Sequence, residues 1–194
     1  MKCKKMIVSA LLAVAVLTGC SLQSTEQTKE EGAQAEAMKQ ESVAVAEMAE
    51  TKTVEIINSK GEKIGVATLK EEEKGVRILV EVSKLKPGKH GFHIHEKNFK
   101  DTDFDSAGGH FNPTHKEHGL KNPKGHHLGD MHNLEVKSDG TAVQTEFLEQ
   151  VTLKKDHPHT LIGRSIMIHS DEDDQRSNPA GNSGERIAAG NIVE

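Results

Sequence analysis

Gly75-Val-Arg-Ile-Leu-Val-Glu-Val82 alternates: Val76, Ile78, Val80 and Val82 share one face, with Arg77 and Glu81 on the other. Side chains of an extended chain point to opposite faces in turn, so this stretch predicts a half-buried β-strand. Upstream, Val54 and Ile56, then Ile64, Val66 and Thr68, predict two more strands joined through Ser59-Lys60-Gly61-Glu62. Downstream, Lys86-Pro87-Gly88-Lys89 signals a turn before a strand around Gly91 to Glu96. Strand-like runs resume at Asn133–Val136, Thr141–Phe147 and Thr160–His169, and Arg186–Val193 reads as a closing strand. Two irregular segments interrupt them, 98–132 and 170–185. Short strands with turn signals and little helix predict an all-β sandwich or barrel. A loop as long as the first needs something inside it to organise it.

The domain is expected over residues 53–194, with accessory sequence before it. Met1-Lys-Cys-Lys-Lys5 is a short basic start, Met6 to Leu17 an apolar run, and Leu17-Thr18-Gly19-Cys20 places small residues ahead of a cysteine. This resembles the signal peptide of a bacterial lipoprotein, residues 1–19, with Cys20 as the lipidated N-terminus and membrane anchor. The apolar run is too short to span a bilayer comfortably. Residues 20–52 then read as a lipidated cysteine and flexible tether, rich in Glu, Gln, Ala, Lys, Ser and Thr. A helix through Gln34–Glu50 would be marginal alone. The expected place is the extracytoplasmic side of a cell membrane. Losing Lys2, Lys4 and Lys5 would take the 25 cations to 22 against 30 acidic residues, a charge of −8. Cys3 would leave with the signal, so no intramolecular disulfide is possible. The net charge of −5, with no Trp or Tyr and only 5 Phe, argues against a nucleic acid partner, which needs clustered cations and stacking surfaces.

Histidine is the unusual residue: all 12 lie between His90 and His169. His93 and His95 sit two apart on a predicted strand, so both imidazoles face one way and suit copper or zinc. Taken alone, such a pair is as often structural. His110, His118, His127 and Asp130 add three imidazoles and a carboxylate, a donor set able to close a tetrahedral zinc site and organise the long loop. The alternative is a solvated His-rich loop that buffers metal loosely.

Five segments, in one order over residues 53–193, resemble the copper/zinc superoxide dismutases: Gly88-Lys-His-Gly-Phe-His-Ile-His-Glu96; Ser106-Ala-Gly-Gly-His-Phe-Asn-Pro113; Lys116-Glu-His-Gly119 with His126-His-Leu-Gly-Asp130; Ile162-Gly-Arg-Ser-Ile-Met-Ile-His169; and Gly181-Asn-Ser-Gly-Glu-Arg-Ile-Ala-Ala-Gly190. The resemblance implies a Greek-key β-sandwich or flattened eight-stranded barrel with two long loops. It implies that His93, His95 and His169 bind copper, that His110 bridges copper and zinc, and that His118, His127 and Asp130 complete zinc. His90 would be hydrogen-bonded beneath the site. Asp173 would link a copper histidine to a zinc histidine, and Arg186 would draw the superoxide anion inward. His115, His126, His132, His157 and His159 have no role in the family and are expected at the surface. The implied activity is disproportionation of superoxide, protecting the cell envelope. Four imidazoles tolerate both copper oxidation states, zinc holds the loop, and a nearby Arg attracts a small anion.

The chain departs from the family in two places. Phe104 and Ala189 occupy the positions of an intrachain disulfide, whose loss typically costs about 2–5 kcal/mol. Greater dependence on zinc for folding is therefore expected, and monomer or homodimer is left open. The 170–185 loop is short and acidic, with Asp171, Glu172, Asp173 and Asp174 adjacent and no match for steering lysines. Two other readings stand beside the enzyme: a catalytically silent metal-binding lipoprotein, and a structural envelope protein with no need of His93, His95, His110 and His169 together.

Overall fold

The structure is a computed structural model, and it describes residues 51–194. The expected signal, Cys20, most of the tether and the 34–50 helix lie outside the described residues. Nine strands follow: β1 (Thr51–Asn58), β2 (Lys63–Glu72), β3 (Gly75–Val82), β4 (Gly88–His90), β5 (Phe92–His95), β6 (Leu134–Val136), β7 (Ala142–Glu149), β8 (Ser165–His169) and β9 (Arg186–Asn191). Seven form one antiparallel sheet, β5-β8-β9-β1-β2-β3-β7, and β4 pairs with β6. Only Gly91 separates β4 from β5, and Gln144 of β7 accepts from Glu135 N and donates to Asn133 O, bridging to β6. The sheet therefore curls on itself as a flattened half-barrel rather than lying flat. The expected eight strands become nine because β4 (Gly88–His90) forms at the end of the expected turn Lys86–Lys89, ahead of the expected Gly91–Glu96 strand, and pairs with β6.

The alternation read in Gly75–Val82 holds: Val76, Ile78, Val80 and Val82 are buried in one core with Val54, Ile56 and Leu69. In β2 the phase differs from expectation. Ile64 is buried, but Ala67 and Leu69 replace Val66 and Thr68 as its inward partners. Ile56 pairs with Gly65 and Ile57 with Lys63, so Ile64 sits in a bulge. One extra residue in a ladder moves every later side chain to the other face. The Thr160–His169 run shortens to β8, because Arg164 N donates to Leu161 O and Gly163 takes φ +82°. Leu161 is apolar and fully buried, but it lies in that turn rather than in a strand.

At the positions of the family disulfide, Phe104 and Ala189 pack into a second apolar cluster with Phe99, Ala107 and Met167. Phe99 and Phe104 meet edge to face at 5.0 Å between centroids. Apolar burial stitches the turn Phe104–Ala107 to β9 at the positions where the resemblance implies a disulfide.

Candidate metal centre

Strand β5 is buried on both faces: Phe92 and Ile94 enter the core, so His93 and His95 point the opposite way. The long loop folds back along this strand. Phe111 N donates to Ile94 O, Ile94 N to Gly129 O, and Gly129 N to Phe111 O, each at 2.8–2.9 Å. That clasp sets His95 opposite His110 and His93 opposite Asp130. His169 ends β8, which pairs with β5. His93, His95, His110 and His169 thus converge, as do His110, His118, His127 and Asp130, with ligand atoms in each group within 4.8 Å of one another. All seven side chains are buried.

Hydrogen bonds fix which nitrogen of each ring faces inward. His95 Nδ1 donates to Gly108 O at 2.9 Å and His169 Nδ1 to Gly184 O at 3.3 Å. Both Nε2 atoms then carry lone pairs, yet they face each other at 3.3 Å. A shared cation reconciles two lone pairs at that distance. His93 donates from Nε2 to Asp173 Oδ2 at 2.8 Å, which frees Nδ1, and His93 Nδ1 and His110 Nε2 are buried without a hydrogen-bond partner. Buried polar atoms are normally paired; these two complete a four-nitrogen set that suits copper. On the other side of His110, Asp130 Oδ1 lies 3.0 Å from His110 Nδ1, 3.1 Å from His118 Nδ1 and 3.2 Å from His127 Nδ1. Three imidazole nitrogens around one carboxylate oxygen suit tetrahedral zinc. His110 belongs to both sets through its two nitrogens, as a bridge must.

Burial dominates the electrostatics of the copper side. It lowers His93 to about 3 and His169 to about 4, and holds His95 and His110 below the ordinary histidine value. These rings stay neutral, the form that binds metal. At His118 burial again opposes charge, but hydrogen bonds with Asp130 and Asp173 outweigh it and raise the ring to about 9. Burial likewise opposes ionisation of Asp130 and Asp173, yet their imidazole partners keep both carboxyls well below the usual range. The zinc pocket is therefore built to hold positive charge, and zinc would replace the proton on His118 Nδ1.

The outer shell locks this arrangement. Asp173 joins the two halves, holding His93 Nε2 through Oδ2 and His118 Nε2 through Oδ1 at 3.0 Å. Such partners orient the ring and raise its basicity. Asp173 is held in turn by Gln175, whose side chain donates to Oδ2 at 2.8 Å, and by two hydrogen bonds with Asn133. Asn178 Oδ1 accepts from His118 N at 2.7 Å, and Asp130 Oδ2 accepts from Gly119 N and His127 N. The loops meet so closely that a Cβ at Gly181 (φ +61°) would lie 1.6 Å from Asp173 Oδ1. His90 sits beneath, its ring nitrogens 2.7 Å from Lys86 O and His169 O. The sequence reading missed Asn133, Gln175 and Asn178, since isolated amides in irregular segments carry no periodic signal.

Arg186 opens β9 half-buried. Its guanidinium donates to Phe104 O and Gly108 O at 2.7 Å, and Nε lies 3.5 Å from Asp105 Oδ1. Its positive charge reaches His95 and His169, contributing to their lowered values. It lines a cleft of about 360 Å³ with Asp103, Asp105 and Glu185. The acidic run of the second loop is not one patch: Asp173 is buried, Glu172 pairs with Lys89 at 3.3 Å, and Asp174 Oδ1 accepts from Arg176 N and Ser177 N in a turn. Of the histidines without a family role, His115, His126, His132 and His157 are exposed as expected, while His159 is half-buried.

A curled β-sandwich carrying an imidazole-bridged pair of donor sets defines a binuclear copper- and zinc-binding protein. The family model for copper/zinc superoxide dismutase matches residues 63–192. The chain is 48% identical over 142 residues to superoxide dismutase [Cu-Zn] 1 of Aquifex aeolicus, covering 70% of this chain and 83% of that protein. It is 41% identical over 146 residues to the superoxide dismutase-like protein YojM of Bacillus subtilis, covering 72% and 74%. Among solved structures, a SOD-like protein from Bacillus subtilis aligns with TM-score 0.69 at 40% identity, over 73% of this chain and 97% of that one. The Cu/Zn superoxide dismutase from Brucella abortus aligns with TM-score 0.58 at 31% identity, over 74% and 99%. The chain belongs to the copper/zinc superoxide dismutase family.

Proposed function

We propose that the protein converts two superoxide anions and two protons to one dioxygen and one hydrogen peroxide. The single observation that carries this reading is the complete set of inward lone pairs, including the unpartnered His93 Nδ1 and His110 Nε2. Copper held by His93 Nδ1, His95 Nε2, His110 Nε2 and His169 Nε2 would supply one-electron redox chemistry. Zinc held by His110 Nδ1, His118, His127 and Asp130 would fix the loop. Arg186 attracts the anion and holds it beside His95 and His169 without reacting. His110 Nε2 is the atom at which a proton can be held and passed to the reduced product.

The test is superoxide consumption by the full chain loaded with zinc and then copper, with both metals quantified on the same sample. Copper-dependent activity at about one copper and one zinc per chain is expected. Zinc without copper, or bound copper without activity, would establish the silent metal-binding protein instead.

The setting proposed is the extracytoplasmic side of the cell envelope, anchored by lipid on Cys20. The basic start, short apolar run and Leu17-Thr18-Gly19-Cys20 support it. A palmitate analogue fed to cells should label the chain, and Cys20→Ala should abolish labelling and release the protein from membranes. Membrane retention of an unlabelled Cys20→Ala chain would refute the anchor.

A further inference from the structure

The other charged residues lining the cleft of Arg186 are Asp103, Asp105 and Glu185, so an anion approaching the guanidinium meets three carboxylates on the same walls. The turn Phe104–Ala107 builds this arrangement. Phe104 O and Gly108 O each accept from one terminal nitrogen of Arg186 at 2.7 Å, which pins the guanidinium in place. A guanidinium carries its N–H groups in a fixed fork, so this anchoring leaves the Nε edge without a backbone acceptor. Asp105 stands at that edge, its Oδ1 3.5 Å from Nε.

Two observations set this pair apart from a closed ion pair. The Arg186 side chain is 21% exposed and the Asp105 side chain 92%, so a fixed cation faces a carboxylate that lies almost wholly in water. On β3, by contrast, Glu72 closes two hydrogen bonds on Arg77, at 2.6 and 2.9 Å. Asp105 stays beyond the roughly 2.7–3.2 Å of a well-formed N–H···O bond. The charge of Arg186 is felt at His95 and His169, so whatever offsets it at Nε is felt there too. We infer that Asp105 is a displaceable counterion of Arg186: an incoming anion competes with its carboxylate for the guanidinium, and that competition sets how strongly the site draws small anions. The inference rests on the reading of Arg186 as the group that attracts superoxide, and it makes Asp105 a positioning residue acting through Arg186.

Azide, a small singly charged anion, is the probe. The full chain loaded with one equivalent of zinc and no copper is titrated with azide while the Arg186 Nε–H resonance is followed by NMR. No dismutase chemistry enters that readout. A saturating shift is expected in the wild type, and Asp105→Asn should lower its midpoint roughly 1.5- to 5-fold, the range one exposed ion pair commands. Asp105→Glu, which keeps the charge, should restore the wild-type midpoint. Glu149→Gln, the same change of charge at an exposed position of β7, should leave it unaltered. With copper added, kcat/KM for superoxide should rise by a similar factor in Asp105→Asn and fall more steeply with added salt than in the wild type. Absence of dismutase activity from both chains would refute the proposed function and leave the azide midpoints to decide the counterion role. Equal midpoints in wild type and Asp105→Asn, or no azide shift in either, overturn it.

Discussion

Strands β1, β2, β3 and β7 bury Val54, Ile56, Leu69, Val76, Ile78 and Val80 in one apolar core. Residues 96–133 form no strand, and around His110, His118, His127 and Asp130 they bury groups that water would otherwise hold. In the strands, order follows from apolar area removed from water and from ladder hydrogen bonds. In the loop it follows from a polar network that stabilises only when every member is satisfied. One half of the domain is self-sufficient, and the other is conditional on what occupies it.

Zinc withdrawal should break this contrast most visibly. Metal affinity at structural zinc sites is coupled to folding and reaches about 10–16 kcal/mol in small zinc domains. A chelator should therefore lower the thermal midpoint and speed hydrogen exchange at Gly119 N and His127 N, which both donate to Asp130. Amides of β2 and β3 should keep their protection. An unchanged midpoint would show that the Phe104–Ala189 packing already suffices.

Acid should act on the metal-free protein next. His93 and His169 have folded values of about 3 and about 4, below the ordinary 6.5. The unfolded chain therefore takes up protons first, and stability is lost as pH falls from about 6.5 through 4 towards 3. Each contributes on the order of 3–5 kcal/mol. His118 has the opposite sign: raised to about 9, its contribution is full below 6.5 and lost as pH rises through 9. Denaturant midpoints measured from pH 4 to 9 should show the steep side in acid; a flat acid limb would contradict the burial argument.

Leu69→Ala, in the self-sufficient half, should cost about 2–5 kcal/mol in denaturant unfolding while metal stoichiometry stays unchanged. Loss of zinc in that variant would mean that the halves are not independent. Asp173→Asn should reverse the pattern, weakening metal binding by about 10–100-fold with a smaller effect on β-sheet stability. Competition with a metal indicator measures it, and unaltered affinity would leave Asp173 a purely structural brace. Arg186→Ala should lower turnover roughly tenfold with full metal content. Equal activity would remove Arg186 from the site.

The same division governs what could be read in the sequence. Strand β3 was legible because its period-two pattern states one buried face, and His93 and His95 were legible because strand geometry alone puts i and i+2 together. The phase of β2 was not, since the bulge at Ile64 arises from pairing with Ile56 and Ile57, a contact with no local trace. Leu161 and Ile162 read as strand because apolar runs look alike in turns and ladders, and only Gly163 hinted otherwise. Among polar residues, His93, His95, His110, His118, His127 and Asp130 stood out by type and spacing, while His169 was placed by family resemblance. Asn133 and Gln175 did not, because their role depends on where Asp173 arrives in space. Asp173 itself was placed by family resemblance, and the acidic run around it read only as a short acidic loop without steering lysines.

Gly108 O accepts from both His95 Nδ1 and Arg186 Nη2. One backbone oxygen is thus a common datum for the proposed copper ligand His95 and for Arg186, the charge proposed to attract the anion. Because that oxygen belongs to the main chain, the gauge between the two is insensitive to which side chains the neighbouring turn carries. The turn can carry Phe104 and still deliver both groups in register, as parts machined from the same reference edge stay aligned when the casing changes.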